Sequence, residues 1–303
     1  MATITEAQVE TARPALRGYF ILLFSTMILS TTGVLIKFLL NDFHLEPLAL
    51  AFWRVLIVSA ALGGALLLFQ RPLFNVRWQH VPAFALFGLV GVGLHQLMWV
   101  TSVQTNGVGV ATVLVYIQPA IVAVISYRFL GESLDRTKIV ALVLTLTGMV
   151  MVSRAYEIGS LNFNALGIVT GFGTGVTWST YALLGRYTAR RYAVWTSLFY
   201  AFLFGTLFLL PLQIFVQNLW ALDGSFNGWG LMLFLALGPT LGGFALYTIG
   251  LSHLPASVTS LIGTLEPVFS ILLAYFLFGE LMNAVQIVGA ALILWSVMML
   301  RPR

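Results

Sequence analysis

Residues 110–132 read VATVLVYIQPAIVAVISYRFLGE, and residues 258–280 read VTSLIGTLEPVFSILLAYFLFGE. A shift of 148 residues superposes the two without a gap. Val110 falls on Val258, Pro119 on Pro267, Tyr127 on Tyr275, Gly131 on Gly279 and Glu132 on Glu280. The match extends outward, since Ile139-Val140 meets Ile287-Val288 at the same shift. At a shift of 149, Ser30-Thr31 meets Ser179-Thr180 and Lys37 meets Arg186. A period this long spans several helices at once, so the chain reads as one multi-helix unit written twice.

Composition says where those helices lie. Of 303 residues, 59% are hydrophobic and 8% are Asp, Glu, Lys or Arg, against about 25% charged in soluble domains. Most of such a chain cannot face water. A helix crosses the hydrocarbon with roughly 20 apolar residues. Apolar runs separated by charged or Gly/Pro/Asn breaks give ten candidate spans: 18–40, 47–69, 80–101, 107–129, 137–153, 164–185, 194–217, 229–250, 256–278 and 284–300. The reading is an all-α polytopic membrane protein. It has a tail over 1–17, a first five-helix repeat over 18–153 and a second over 154–303, within one membrane domain. Five is odd, so the second copy enters the membrane from the opposite face, and the two inverted repeats enclose a central cavity near the midplane.

The basic residues orient the bundle. With ten spans, one side holds Arg13, Arg17, Arg71, Arg77, Arg128, Arg136, Lys138, Arg186, Arg190, Arg191, Arg301 and Arg303, whereas the other holds only Lys37 and Arg154. The positive-inside rule makes the richer side, and both termini, cytoplasmic. The net charge of +5 follows from this dispersal between apolar runs and not from a basic groove, so no nucleic-acid partner is expected. With no cysteine, neither a disulfide framework nor a thiolate site is available. The first run, from Gly18, lacks a small-residue cleavage signature and reads as a retained helix, not a signal peptide.

The two proline helices ending in FLGE132 and LFGE280 carry a resemblance to the drug/metabolite transporter superfamily, in its ten-helix EamA-type branch. The resemblance covers roughly residues 15–303. It implies export of amino acids or related metabolites, and the chain looks most like bacterial exporters of aromatic and other amino acids. An inner (plasma) membrane location follows from the same likeness.

Polar side chains in hydrocarbon are costly and turn toward protein or a water-filled cavity. Thr112, Tyr116 and Pro119 share one face by i, i+4, i+7 spacing, matched by Ser260, Thr264 and Pro267. Thr26, Ser30 and Gly33 form a stripe matched by Gly175, Ser179 and Ala182. These faces line the cavity or allow small-residue packing. Pro119 and Pro267 each remove an amide donor and clash with the carbonyl four residues back, which makes them candidate hinges. Gly167, Gly171, Gly173 and Gly175 read as a close helix contact, because a dinucleotide loop needs a preceding strand.

Three ionisable groups break the repeat symmetry: Glu266 opposes Gln118, His95 opposes Gly243, and Arg54 opposes Phe202 or Leu203. An asymmetric solute needs such differences. Glu266, beside the proline break, can receive a substrate ammonium or carry a proton, or be a hydrogen-bonded buried acid. Arg54 reads first as a structural ion pair with Glu266 or Asp42, or as a snorkelling side chain, and otherwise as a carboxylate ligand. His95 shares a face with Trp99 and reads as a packed histidine more than a relay. Trp99, Tyr116, Trp178, Tyr181 and Tyr247 supply aromatic surface able to stack apolar or cationic solutes, while Trp220 and Trp229 read as membrane-interface residues.

No HExxH, Walker motif, carboxylate pair at metal spacing or Ser–His arrangement is present, so no metal, no cofactor and no catalytic residue is expected. The sequence reads as a secondary transporter of a small-molecule solute, bathed in membrane lipid and working by alternating access. Another solute (a cationic drug, a nucleotide sugar), a channel and an intramembrane enzyme remain as alternatives. Because both repeats lie in one chain, a monomer can be the complete unit, which leaves a dimer possible. Residues 137–153 and 284–300 are the shortest spans and are expected at the periphery.

Overall fold

Each proline stretch breaks just before its proline. In the computed structural model, which describes residues 6–154, 164–278 and 281–300, helix α5 (His95–Val115) ends and α6 (Gln118–Phe129) begins across Tyr116-Ile117. In the second copy α12 (Ala256–Gly263) gives way to α13 (Glu266–Phe278) across Thr264-Leu265, at the mated positions. Each proline then stands in the first turn of a new helix, where its missing N–H has no intrahelical partner to lose. Gly279 and Glu280 of the second motif, the terminal Arg301 and Arg303, residues 1–5 of the tail and residues 155–163 lie outside the described residues.

The mating holds elsewhere. Helix α4 (Val81–Gly88) runs into α5 through a π-helical turn at Leu89–Leu94. Helix α10 (Phe226–Leu235) runs into α11 (Phe244–His253) through a π-helical turn at Ala236–Gly243. Pro239 in the second turn accounts locally for a disrupted hydrogen-bond ladder. The helical conformation of α5 is interrupted at Gly107, where φ is 78° and ψ 164°, a conformation suited to glycine. One mating fails. Helix α1 (Glu6–Leu29) breaks at Ser30-Thr31 before α2 (Thr32–Asn41), whereas α8 (Ala165–Ala189) runs through the corresponding Ser179-Thr180 without a break.

The remaining helices are α3 (Pro47–Phe69), α7 (Arg136–Val152), α9 (Val194–Leu209) and α14 (Ala284–Met299), and among the described residues no strand occurs. Mated helices pack on one another: α3 on α9, and α7 on α14. The second pair runs antiparallel. Thr145 Oγ1 lies 2.7 Å from Ser296 Oγ, and Gln286 Nε2 donates to the Val152 carbonyl at 3.1 Å. Between them Gly148 and Gly289 interlock, since a Cβ on either would sit 2.6–2.7 Å from the other's carbonyl oxygen. Glycines 167, 171, 173 and 175 on α8 likewise press on Asn106, Leu114, Met98 and Ile117, a close packing role.

The chain is an integral membrane protein. Seven described segments are long and apolar enough to cross a bilayer: Leu16–Asn41, Pro47–Phe69, Trp78–Gly107, Gly109–Phe129, Val194–Phe215, Phe226–His253 and Ala256–Leu273. Helices α7 and α14 have 17 and 16 residues, about 25 Å at 1.5 Å each. Helix α8 is long, but the threonines and glycines it turns inward dilute its apolar character.

Side chains tie the inter-helix loops together in sets. At one end, Tyr192 accepts from the Arg77 amide at 3.2 Å and meets His80 Nδ1 at 2.6 Å. There the Glu132 carboxylate accepts from the Ala256 amide (2.7 Å), the Ser257 amide (3.1 Å) and the Ser257 hydroxyl (2.5 Å), capping the N-terminus of α12. Arg186 donates to the Leu251 carbonyl beside it. Around the opposite ends of these helices, Glu46 Oε1 accepts from the amides of Gln217 and Asn218 at 3.0 and 3.1 Å. Asn106 Oδ1 accepts from the Asn164 amide at 3.1 Å. Trp53 donates to the Leu219 carbonyl and meets the rings of Trp220 and Trp229 at 5.0 and 5.1 Å.

Candidate functional site

Beside the two proline helix breaks, α3 and the residues that follow the two π-helical turns, the bundle holds a partly open cavity of about 60 Å³. The repeat is written into its wall. Gln96 and Phe244, Trp99 and Tyr247, Thr112 and Ser260, Val115 and Gly263, and Gln118 and Glu266 are mates at a shift of 148, and Leu29 and Trp178 are mates at 149. All twelve face this one space. Thr26, Thr32, Arg54, His95 and Tyr116 complete it.

The two halves differ in chemistry. The first-repeat half presents Arg54, Gln96, Gln118 and Tyr116, and the second-repeat half presents Trp178, Phe244, Tyr247 and Glu266. Arg54 is 1% exposed. Its Nε donates to Thr240 Oγ1 at 2.5 Å and its Nη1 to Gln96 Oε1 at 2.9 Å. Thr240 belongs to the second π-helical turn and Gln96 follows the first, so the guanidinium is held by one residue from each repeat. The expectation of an ion pair or a snorkelling side chain is not what the structure contains. Arg54 is neither at an interface nor, among the described residues, in a salt bridge, and both observed acceptors are neutral. Arg54 on α3 and Glu266 on α13 line the same cavity, within electrostatic reach of each other.

The wall also carries unused hydrogen-bonding capacity. Thr32 Oγ1, Gln96 Nε2, Tyr116 OH, Gln118 Nε2 and Tyr247 OH are buried and have no hydrogen-bond partner. Tyr247 and Gln118 approach one another without closing a bond. Buried polar atoms are normally satisfied, and each exception calls for a partner of some kind. Five such atoms surround one cavity, where a polar solute or water would supply the missing partners.

Aromatic stacking stiffens the second half. Trp178 stacks on His95 (4.9 Å, 26°) and on Tyr181 (4.8 Å, 20°), and meets Phe244 and Tyr247 at 5.2 and 5.1 Å. His95 Nδ1 lies 3.3 Å from Thr177 Oγ1. The histidine is thus packed and hydrogen-bonded at the cavity edge.

Of the residues singled out from sequence, His95, Trp99, Tyr116, Trp178, Tyr247, Glu266 and Arg54 meet in this space. Three stand behind it. Tyr181 bonds Thr248 Oγ1 at 2.8 Å and backs Trp178. Thr264 donates to the Leu261 carbonyl at the helix break, at 2.5 Å. Ser30 sits at the break of the first helix and donates to the Met27 carbonyl at 2.7 Å. Pro119 and Pro267 flank the cavity from the helix starts without lining it. Thr32, Gln96, Thr240, Phe244 and Gly263 were not singled out. The repeat was the available signal for several of them, because Gly263 is the mate of Val115, and Phe244 the mate of Gln96. Among the described residues no group of three metal-ligating side chains converges.

These features define a class, a duplicated helical membrane protein whose two repeats line one internal cavity. The sequence matches the EamA-like transporter family twice in tandem, over residues 16–154 and 165–301. The chain belongs to that family, within the drug/metabolite transporter superfamily, and is a transporter. One relative, from Streptantibioticus cattleyicolor, is named a probable terminal-alkyne amino-acid exporter. It is 25% identical over 272 residues, covering 87% of this chain and 86% of that protein. Another, from Escherichia coli K12, is named the uncharacterized inner membrane transporter YhbE and is 27% identical over 239 residues, covering 75% of this chain and 71% of its own. A crystal structure of a protein at 19% identity superposes with a TM-score of 0.76, covering 93% of this chain and 95% of that one, and shares the fold.

Proposed function

We propose that this protein exports amino acids, aromatic ones among them, across a bacterial inner membrane, with ten spans arranged as two inverted five-helix repeats and both termini cytoplasmic. One observation carries the reading: Arg54 on α3 and Glu266 on α13 line the same cavity, and among the described residues they form no salt bridge with each other. A lone cation or lone anion would suit an ion of opposite sign. A cation and an anion held apart suit a zwitterion, with the carboxylate at Arg54 and the ammonium at Glu266. The aromatic half beside Glu266 then receives the side chain. Pairing with a solute supplies the partner that a buried charge otherwise lacks.

Alternating access follows from the same arrangement. Six mated pairs contribute to one cavity, so exchanging the conformations of the two repeats would reopen that site toward the other side. The loop contacts support the span count. Loops following the second and sixth spans meet, as do those following the fourth and eighth. Loops following the first and seventh meet, as do those following the third and fifth. Among the described residues no hydrogen bond joins an even loop to an odd one, as ten alternating spans require. The partners are a small solute and lipid, and both repeats lie in one chain, so a monomer can be the complete unit.

The test is flux into liposomes holding purified protein. Labelled L-phenylalanine, L-alanine, tetraphenylphosphonium and a nucleotide sugar are compared. Saturable movement of the amino acids supports the reading. Movement of only the organic cation or the nucleotide sugar overturns it.

A further inference from the structure

The glycines of this bundle are nearly all explained by space or by backbone. Gly107, Gly131 and Gly224 have positive φ. At Gly88, Gly148, Gly167, Gly243 and Gly250 a Cβ would come within 3.0 Å of a neighbour, so these let helices touch. Gly64 and Gly230 have nothing within 4 Å. Gly109, Gly238, Gly242 and Gly263 fit none of these groups, and of these four Gly263 alone lines the cavity. Its φ is not positive, and a Cβ there would meet only Tyr247 Cε2, at 3.5 Å, an ordinary van der Waals distance. Packing and backbone therefore tolerate a side chain at 263, and what a side chain would take away is cavity space beside Tyr247.

The mated position makes the contrast sharp. Val115 occupies the corresponding place in the first repeat and also lines the cavity, so one half is filled where the other is recessed. The recess lies in the aromatic half, against the Tyr247 ring, one turn of chain before Glu266. We propose that Gly263 forms the floor of a subsite for the substrate side chain and sets the largest side chain that the protein transports. This rests on the amino-acid reading above and deepens it. With the backbone ammonium at Glu266, the Cα substituent of the solute points toward Tyr247 and into the recess, and its bulk is limited by what stands at 263.

The experiment compares kcat/KM for labelled L-tryptophan and L-alanine in liposomes containing the wild-type protein, Gly263→Ala and Gly263→Val. A hydrophobic pocket discriminates by about 10-fold or more per group of methylene size. Gly263→Val is therefore expected to lower the tryptophan-to-alanine ratio at least about 10-fold, and Gly263→Ala by a smaller factor in the same direction. Intact folding is checked separately, by monodisperse elution and a thermal melt in detergent. If the valine variant does not fold, the alanine variant carries the test, because its added methyl group meets only that ordinary contact. A glycine acting as a hinge at the nearby break would slow both substrates equally. A ratio unchanged in the folded variants, with both rates equal to wild type or both reduced alike, overturns the subsite and leaves the amino-acid reading standing. Wild-type liposomes that move neither amino acid overturn that reading first, and the subsite with it.

Discussion

Replacing Arg54 by lysine keeps the charge and removes the planar fork, which isolates what the fork does. In the structure Nε and Nη1 are engaged by Thr240 and Gln96, at 2.5 and 2.9 Å, and Nη2 has no partner among the described residues. The guanidinium is thus pinned on two sides, with its remaining donors available for a carboxylate. A lysine ammonium is a point charge on a flexible stem and cannot reproduce that fork. One charge-assisted hydrogen bond is worth about 1.5–3 kcal/mol, which is about tenfold to a hundredfold in affinity. The KM for L-phenylalanine in liposomes should rise by that factor. The control is L-phenylalaninamide, which keeps the ammonium and the ring and loses the carboxylate. If Arg54 holds the carboxylate, the two removals are not additive, so KM for the amide should change by less than about threefold. An equal rise for both substrates would mean that Arg54 acts on the fold alone, and the carboxylate assignment would be withdrawn.

Glu266→Gln should raise KM for L-phenylalanine by about tenfold or more, since a charge-assisted contact becomes a neutral one, while 3-phenylpropionate, lacking the ammonium, should compete no worse than against wild type. The substrate dependence of uptake measures the first, and inhibition of labelled L-phenylalanine uptake the second. Gly148→Ala should lower stability in detergent by about 1–3 kcal/mol, because its Cβ would sit 2.6 Å from the Gly289 carbonyl oxygen; a thermal melt that does not move would show that α7 and α14 part readily. The chain has no cysteine, so single cysteines can be placed on a silent background. An impermeant thiol reagent applied to intact cells should label Asn218→Cys and leave Arg190→Cys and Arg77→Cys unlabelled, and labelling of all three, or of Arg190→Cys alone, would break the orientation.

Much of this was legible because duplication repeats its own constraints. Two prolines at mated positions forecast two mated breaks, and both are present at Tyr116-Ile117 and Thr264-Leu265. The site was legible where polarity broke the symmetry: Glu266 against Gln118, His95 against Gly243 and Arg54 against an apolar residue each pointed at the cavity. Helical spacing failed where the helix itself stops. Ser30 was placed on a stripe with Thr26, but the chain breaks at Ser30-Thr31, and Thr26, Leu29 and Thr32 face the cavity instead. Tyr181 shares a helical face with Trp178 and yet stands a layer behind it, bonded to Thr248, because depth from the cavity is set by the neighbouring helix and not by spacing. Thr240 was invisible for a related reason. A π-helical turn shifts the register of side chains, and without it nothing marks this threonine as the anchor of Arg54. Gly263 carries no side chain to notice, and only the shape around it gives it meaning.

The most direct measurement is counterflow. Liposomes loaded with unlabelled L-phenylalanine at high concentration are diluted into a trace of the labelled compound. A single site exposed alternately to the two sides predicts transient accumulation of label above equilibrium, saturating with external L-phenylalanine and weakened in Glu266→Gln. Label that enters only to equilibrium, at a rate indifferent to what the liposomes contain, would mean an open pore and contradict the account.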